Sequence, residues 1–407
     1  MKEQLKFVIV GHVDHGKSTL IGRLLFDTNS LSPDKMEEIK KQSQNLGRED
    51  QFAFILDHLQ EERDQGITID TTQIFFDTEQ RDYVIIDAPG HTEFVKNMIT
   101  GASQADAAVL IVSGKEGLQE QTKRHAYILA MLGIKQVIVV INIWTDQKEE
   151  LKEIFESVSK ETSDFLSVLN IQPTFTMPII ATKGDNIANK SESFTWYEGV
   201  TLLEGLNSFK ARESLENKPL YFSVQDVYRI EEKRIAVGRV ESGVLKKEQE
   251  ITVFPTKENT VVNTIEKFNQ SVEKSYPGES IGITAKDPLF IERGNVICEK
   301  GFIPELTIEF RASLFWMNKT PFMIDQPITL KCATQEILVN IDVKKKIDSS
   351  TLEVIYEDDQ ILHHLEVAEV VIRCKKPIVI TKFIEIQEMG RFVLVKNENI
   401  VAGGICI

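Results

Sequence analysis

Apolar residues along the first half of the chain fall into short continuous runs rather than alternating ones. FVIV (7–10), YVIID (83–87), AVLIV (108–112), VIVVI (137–141) and MPII (177–180) each have the length and β-branched content of a strand buried on both faces. Between them lie segments with helical spacing at 17–27, 92–103, 119–132 and 147–166. Strands alternating with helices predict a doubly wound α/β domain on a mostly parallel sheet.

The pattern changes after ARESLENKP (211–219). VGRVESGVLKKEQEITVFP (237–255) and SYPGESIGITAKD (275–287) show short alternating strands broken by Gly and Pro turns, and helical periodicity almost vanishes. Two all-β barrels are expected, joined near GFIPE (301–305). The expected domains are therefore 1–212, 217–302 and 303–407. The charged run KKKIDSS (344–350) reads as a solvated turn.

Composition adds limits. The chain has 407 residues and a formal net charge of −15. That length suits more than one domain, and the acidity argues against a non-specific nucleic-acid coat. Four cysteines, at 298, 332, 374 and 406, show neither a C-x-x-C pair nor a metal-ligand spacing, so reduced thiols fit better than a disulfide framework. No run approaches the ~18 apolar residues of a membrane helix. Leu5 to Val10, broken by Lys6, is a strand and not a signal peptide, so a cytoplasmic location is expected.

Chemistry concentrates at one loop. Gly11-His12-Val13-Asp14-His15-Gly16-Lys17-Ser18 fits G-x-x-x-x-G-K-[ST] between a strand and a helix that continues through Thr19. The glycines let backbone N–H groups wrap phosphates, Lys17 supplies charge to the β/γ-phosphates, and the Ser18 hydroxyl is placed for Mg²⁺. Asp87-Ala88-Pro89-Gly90-His91 ends a strand. Its carboxylate can hold Mg²⁺ through water, the Gly90 N–H can sense a γ-phosphate, and His91 can orient an attacking water. Thr68, in Glu62-Arg63-Asp64-Gln65-Gly66-Ile67-Thr68-Ile69, suits a switch whose hydroxyl completes the metal shell. Read alone, that segment is equally a turn into an edge strand.

GHVDHGKST, EERDQGITID, DAPGHTEFVKNMITGASQADAAVLIV and PIIATKGDN resemble the translation-factor class of GTPases. That class includes the tRNA-carrying elongation factors and the GTPase subunit of bacterial sulfate adenylyltransferase. The resemblance implies a P-loop GTPase domain followed by two barrels, GTP/GDP and Mg²⁺ as cofactors, Ser18, Thr68 and Asp87 at the metal, and His91, Lys17 and Thr68 in hydrolysis. It places Asn142, Asp146 and Ala181 at the guanine base. The family's N-K-x-D pattern is broken here: Asn142 is followed by Ile143, Trp144, Thr145 and Asp146. Lysine is missing and the aspartate falls one residue late, which a one-residue bulge could correct.

FRASLFWMNKTP, KCATQEILVNI, KKIDSSTLEVI, EVAEVVIRCKKPIV and MGRFVLVKNENIVAGGI resemble the third domain of the sulfate-activating subunit. On that resemblance the chain is expected to hydrolyse GTP to drive synthesis of adenylyl sulfate from ATP and sulfate by a partner small subunit, with no membrane or DNA partner. Two alternatives stand beside it: an elongation-factor-like GTPase carrying aminoacyl-tRNA, and a nucleotide-binding scaffold with impaired guanine recognition. Trp316 and Met317 also read simply as core residues of a barrel strand.

Overall fold

The computed structural model describes residues 2–31, 72–87, 101–102, 104–144, 150–230, 233–267, 270–287, 290–323, 328–355 and 360–407. The chain divides into two compact units, Met1–Arg212 and Glu213–Ile407.

In the N-terminal unit six strands form one sheet: β1 (Gln4–Gly11), β2 (Thr72–Asp77), β3 (Asp82–Asp87), β4 (Ala107–Ser113), β5 (Val137–Asn142) and β6 (Phe175–Ile179). Their order is β2-β3-β1-β4-β5-β6, and only the β2–β3 pair is antiparallel. The five apolar runs of the sequence are β1 and β3–β6. Every residue of β4 and β5 is buried, because helices cover both faces of a parallel sheet. Helix α1 (Lys17–Asp27) turns Leu20, Ile21, Leu24 and Leu25 onto Leu5, Phe7 and Ile9. Each such side chain contributes roughly 1.5–3 kcal/mol by leaving water.

Helices α2 (Glu120–Met131) and α3 (Glu150–Val168) match the predicted stretches, while 92–100 lies outside the described residues. A short α4 (Leu202–Ser208) starts on a reciprocal cap: Thr201 Oγ1 accepts from Glu204 N at 3.2 Å, and Thr201 N donates to Glu204 Oε2 at 2.8 Å.

Strand β2 was not among the predicted strands. TQIFFD alternates as an edge strand does: Ile74 and Phe76 point inward, and Phe75 is exposed. Phe76 stacks on Tyr83 at 4.6 Å, which locks β2 to β3.

In the C-terminal unit two antiparallel barrels close through six strands each. The first ring runs Glu250–Phe254, Val296–Glu299, Tyr221–Ile230, Lys233–Ser242, Ser280–Ala285 and Glu258–Lys267, and closes on Glu250–Phe254. The second runs Ile328–Cys332, Arg391–Lys396, Asn399–Cys406, Leu306–Trp316, Glu366–Val379 and Gln335–Asp348, and closes on Ile328–Cys332. Tyr221, Phe254, Val296 and Cys298 pack with Val379, Ile386 and Met389, so the two barrels share a core. Trp316 is in the core of the second barrel, its Nε1 donating to Thr320 O at 3.0 Å.

KKKIDSS is not a solvated turn throughout. Lys344, Lys345 and Lys346 belong to the strand Gln335–Asp348, and a register shift between Val343 and Lys345 turns Lys344 and Lys345 both outward. Lys346 then faces inward, buried, with Nζ donating to Ile361 O at 3.2 Å. The turn begins only at Asp348, whose Oδ1 accepts from Ser350 N and Thr351 N at 2.8 and 2.9 Å.

Candidate nucleotide-binding site

The loop between β1 and α1 forms where two backbones come too close for side chains. A Cβ on Gly11 would lie 2.4 Å from Ile111 O of β4. Gly16 caps α1 at φ 91°, and a Cβ there would lie 2.5 Å from Asn142 Nδ2. Gly16 offers no side-chain cap, and the first helical turn holds no acidic residue. The N–H groups at the start of α1 are thus free of a side-chain acceptor from the cap. Asp14 takes a left-handed φ of 63° to complete the loop, with His12 and Val13 half-buried beside it.

Lys17 folds back across this loop. Its Nζ donates to Gly11 O at 3.0 Å and His12 O at 2.7 Å. Burial lowers its pKa to about 8, against the opposing charges of Asp87 and Asp14. Asp87 ends β3, in register with Ile9 of β1. Burial pushes its carboxyl up, with Lys17 pulling the other way. Ser18 is exposed at the first turn of α1, and Thr19 beside it is half-buried.

Three histidines line the inner side of the loop, and burial disfavours charge on two of them. His15 is fully buried, its Nδ1 accepting from Ser113 N at 3.2 Å. Its Nε2 lies 3.4 Å from Glu116 Oε2, within ion-pair range but without hydrogen-bond alignment. Burial, then the neighbouring His12, lower its pKa. His125 of α2 is brought to about 3 by burial, with Lys17 adding to the effect. Lys17, with its pKa at about 8, carries charge at neutral pH. His125 carries no motif signal, and only packing reveals it.

Asn142 joins the phosphate loop to the loop after β6. It is fully buried, its Nδ2 donates to His15 O at 3.0 Å, and its Oδ1 accepts from Ala181 N at 3.1 Å. The Ala181 N–H, which the resemblance aims at guanine O6, is directed to Asn142. Ile143 does not take the missing lysine's place. Its N–H extends the β5–β6 ladder to Ile179 O at 2.9 Å, and its side chain is buried. Thr68, Gly90, His91 and Asp146 lie outside the described residues.

The donors fit Mg²⁺. Ser18 and Asp87 offer hard oxygens, and the desolvated Asp87 carboxyl has Lys17 alone as the charge offsetting its burial among the described residues. No group of three His, Cys, Asp or Glu side chains converges among the described residues, here or elsewhere.

A strand, a glycine-bounded loop, a lysine over its carbonyls and an uncapped helix start define a P-loop nucleotide-binding domain. The sequence comparisons narrow the class. Residues 2–273 match the elongation factor Tu GTP-binding domain, and residues 309–407 match the GTP-eEF1A C-terminal domain-like model. The chain belongs to the elongation factor Tu/1-alpha family of GTPases. It is 36% identical to elongation factor 1-alpha of Methanoculleus marisnigri over 415 residues, spanning 100% of this chain and 97% of that protein. It is 37% identical to elongation factor 1-alpha of Methanopyrus kandleri over 430 residues, spanning 100% and 98%. The same name and 37% identity, over 421 residues, belong to the relative from Methanocaldococcus jannaschii.

These matches correct the choice of branch. The C-terminal third carried the sulfate-activating reading, and that third matches the GTP-eEF1A C-terminal domain. Neither a sulfate adenylyltransferase activity nor its small subunit as partner is supported. Among the described residues, no helix is long and apolar enough to cross a membrane.

Proposed function

We propose that this chain is an elongation-factor-type GTPase that carries aminoacyl-tRNA in its GTP-bound form. The observation that carries this reading is the match to elongation factors 1-alpha along 100% of the chain, across the GTPase domain and both barrels. The loop geometry supports the nucleotide half of it. Lys17 and the first N–H groups of α1 neutralise the β/γ-phosphates, while Asn142 holds the loop in shape.

Ser18, Thr68 and Asp87 would hold Mg²⁺, which supplies charge neutralisation at the β/γ-phosphate oxygens when bound. His91 orients the attacking water, and Gly90 and Thr68 respond to loss of the γ-phosphate.

The test is filter binding of aminoacyl-tRNA to the full chain with GTP or GDP, over a range of salt. Retention with GTP and not GDP, falling steeply with salt, is expected. Equal retention, or none, in the two nucleotide states removes the carrier reading. His91→Ala should slow GTP hydrolysis while leaving GTP affinity largely intact. An equal loss of affinity would remove His91 from its assigned role.

A further inference from the structure

The stretch from Asn142 to Asp146 has three intervening residues where the guanine-reading pattern N-K-x-D has two. Of these three, the structure describes Ile143 and Trp144. Asn142 stays at the end of β5, bridging His15 and Ala181. Ile143 turns away from the phosphate loop: its Cγ1 lies 3.1 Å from the position a Gly114 Cβ would take, beside Ile154 of α3. The chain then brings Trp144 back. Its Cζ2 lies 3.2 Å from the position of a Gly16 Cβ, so the indole rests on bare glycine backbone at the start of α1. Trp144 is 38% exposed. In sequence Ile143 follows Asn142 where lysine would; in space, Trp144 stands against the phosphate loop.

A nucleotide whose phosphates sit at the start of α1 extends its base into the crevice outside the carboxyl ends of the parallel strands. Asn142 ends β5 and Ala181 follows β6, so Trp144, two residues past the end of β5, stands at the carboxyl ends of these strands. A large half-exposed aromatic on a glycine, next to an anion seat, has the form of a stacking platform. We propose that Trp144 stacks on the purine base of the bound nucleotide and forms one wall of the base site. Stacking is tolerant of base identity because every base presents a π-face. Base affinity then comes from the indole, and selection between guanine and adenine is left to groups at the base edge. The inference rests on the reading of the loop as a purine-nucleotide site.

The test uses the full chain, GDP and ADP with Mg²⁺, and inorganic triphosphate as a probe without a base. The chain has three tryptophans. Trp196 lies in a cluster with Phe155, Phe194 and Tyr197, and Trp316 is in the second barrel core, so a change of fluorescence on nucleotide binding is assigned by substitution at Trp144. In the parent chain GDP should change the emission. In Trp144→Phe that change should disappear while affinity by calorimetry stays within a few-fold. In Trp144→Ala, GDP and ADP should each bind roughly 5- to 150-fold more weakly, and inorganic triphosphate should bind as before.

Any of four results overturns the proposal. Trp144→Ala could weaken inorganic triphosphate as much as GDP, which would make the indole a support for the loop. Trp144→Ala could leave GDP affinity unchanged. The parent chain could bind inorganic triphosphate but no nucleotide more tightly, which would mean that no base site exists. Failure of the parent chain to bind any of the three probes removes the nucleotide-site reading itself, and the proposal with it.

Discussion

Replacing Asn142 by alanine tests whether one amide joins the phosphate loop to the loop after β6. The substitution removes two hydrogen bonds, to His15 O at 3.0 Å and from Ala181 N at 3.1 Å, at a fully buried position. A stranded buried polar group costs about 1–3 kcal/mol, and two are stranded here. A water entering the vacated volume would relieve part of this, so about 2–5 kcal/mol of local stability should be lost. Hydrogen exchange at the Ala181 amide reads the change directly, because that N–H donates to the side chain removed. Its protection should fall roughly 30-fold or more, at 1.36 kcal/mol per tenfold. Asn142→Asp should not restore the parent behaviour. It keeps an acceptor for Ala181 N–H but sets a buried carboxylate against a carbonyl oxygen. Unchanged protection at Ala181 in the alanine variant would refute the bridge as the element that holds the two loops together.

Other outcomes follow from the same geometry. Lys17, at about pH 8 in the free protein, must be charged to meet phosphate, and bound phosphate raises its pKa. Nucleotide affinity should therefore be level below pH 8 and fall toward tenfold per pH unit above it, until the pKa of the complex is reached; calorimetry showing level affinity from pH 7 to 10 would contradict this. Gly16→Ala forces a side chain into a left-handed φ and against Asn142 Nδ2, so GDP binding should weaken more than tenfold in a direct titration. Trp316→Ala, in the second barrel core, should lower stability by about 3–5 kcal/mol in denaturant unfolding of the C-terminal unit while leaving GTP hydrolysis unaltered.

The parallel core was legible because a strand buried on both faces cannot hide its apolar character; β1, β4 and β5 read as continuous runs. Strand β2 was not, since an edge strand such as TQIFFD is half polar and half aromatic and its register comes from Tyr83 across the sheet. Lys346 is not legible in the sequence for a related reason. A bulge shifts the alternation by one residue, and no local property of KKK says which lysine turns inward. At the site, the motif located Gly11, Gly16, Lys17 and Asp87. It said nothing of His125, which reaches the loop from a helix over 100 residues away in sequence. The sequence of NIWTD announces an irregularity, but only the fold separates Ile143, which packs inward, from Trp144, which returns to the loop.

The cysteines have a practical consequence. All four are buried, and all lie in the C-terminal unit. Burial raises each thiol: Cys332 to about 12, Cys374 and Cys406 to about 11, and Cys298 higher still. A thiol held protonated and out of solvent reacts with an alkylating agent only while its barrel is open. The labelling rate of the native chain is thus a clock that counts openings of the barrels and ignores openings of the GTPase unit. No engineered probe is needed to ask whether GTP, GDP or tRNA tightens one half of the molecule while working on the other.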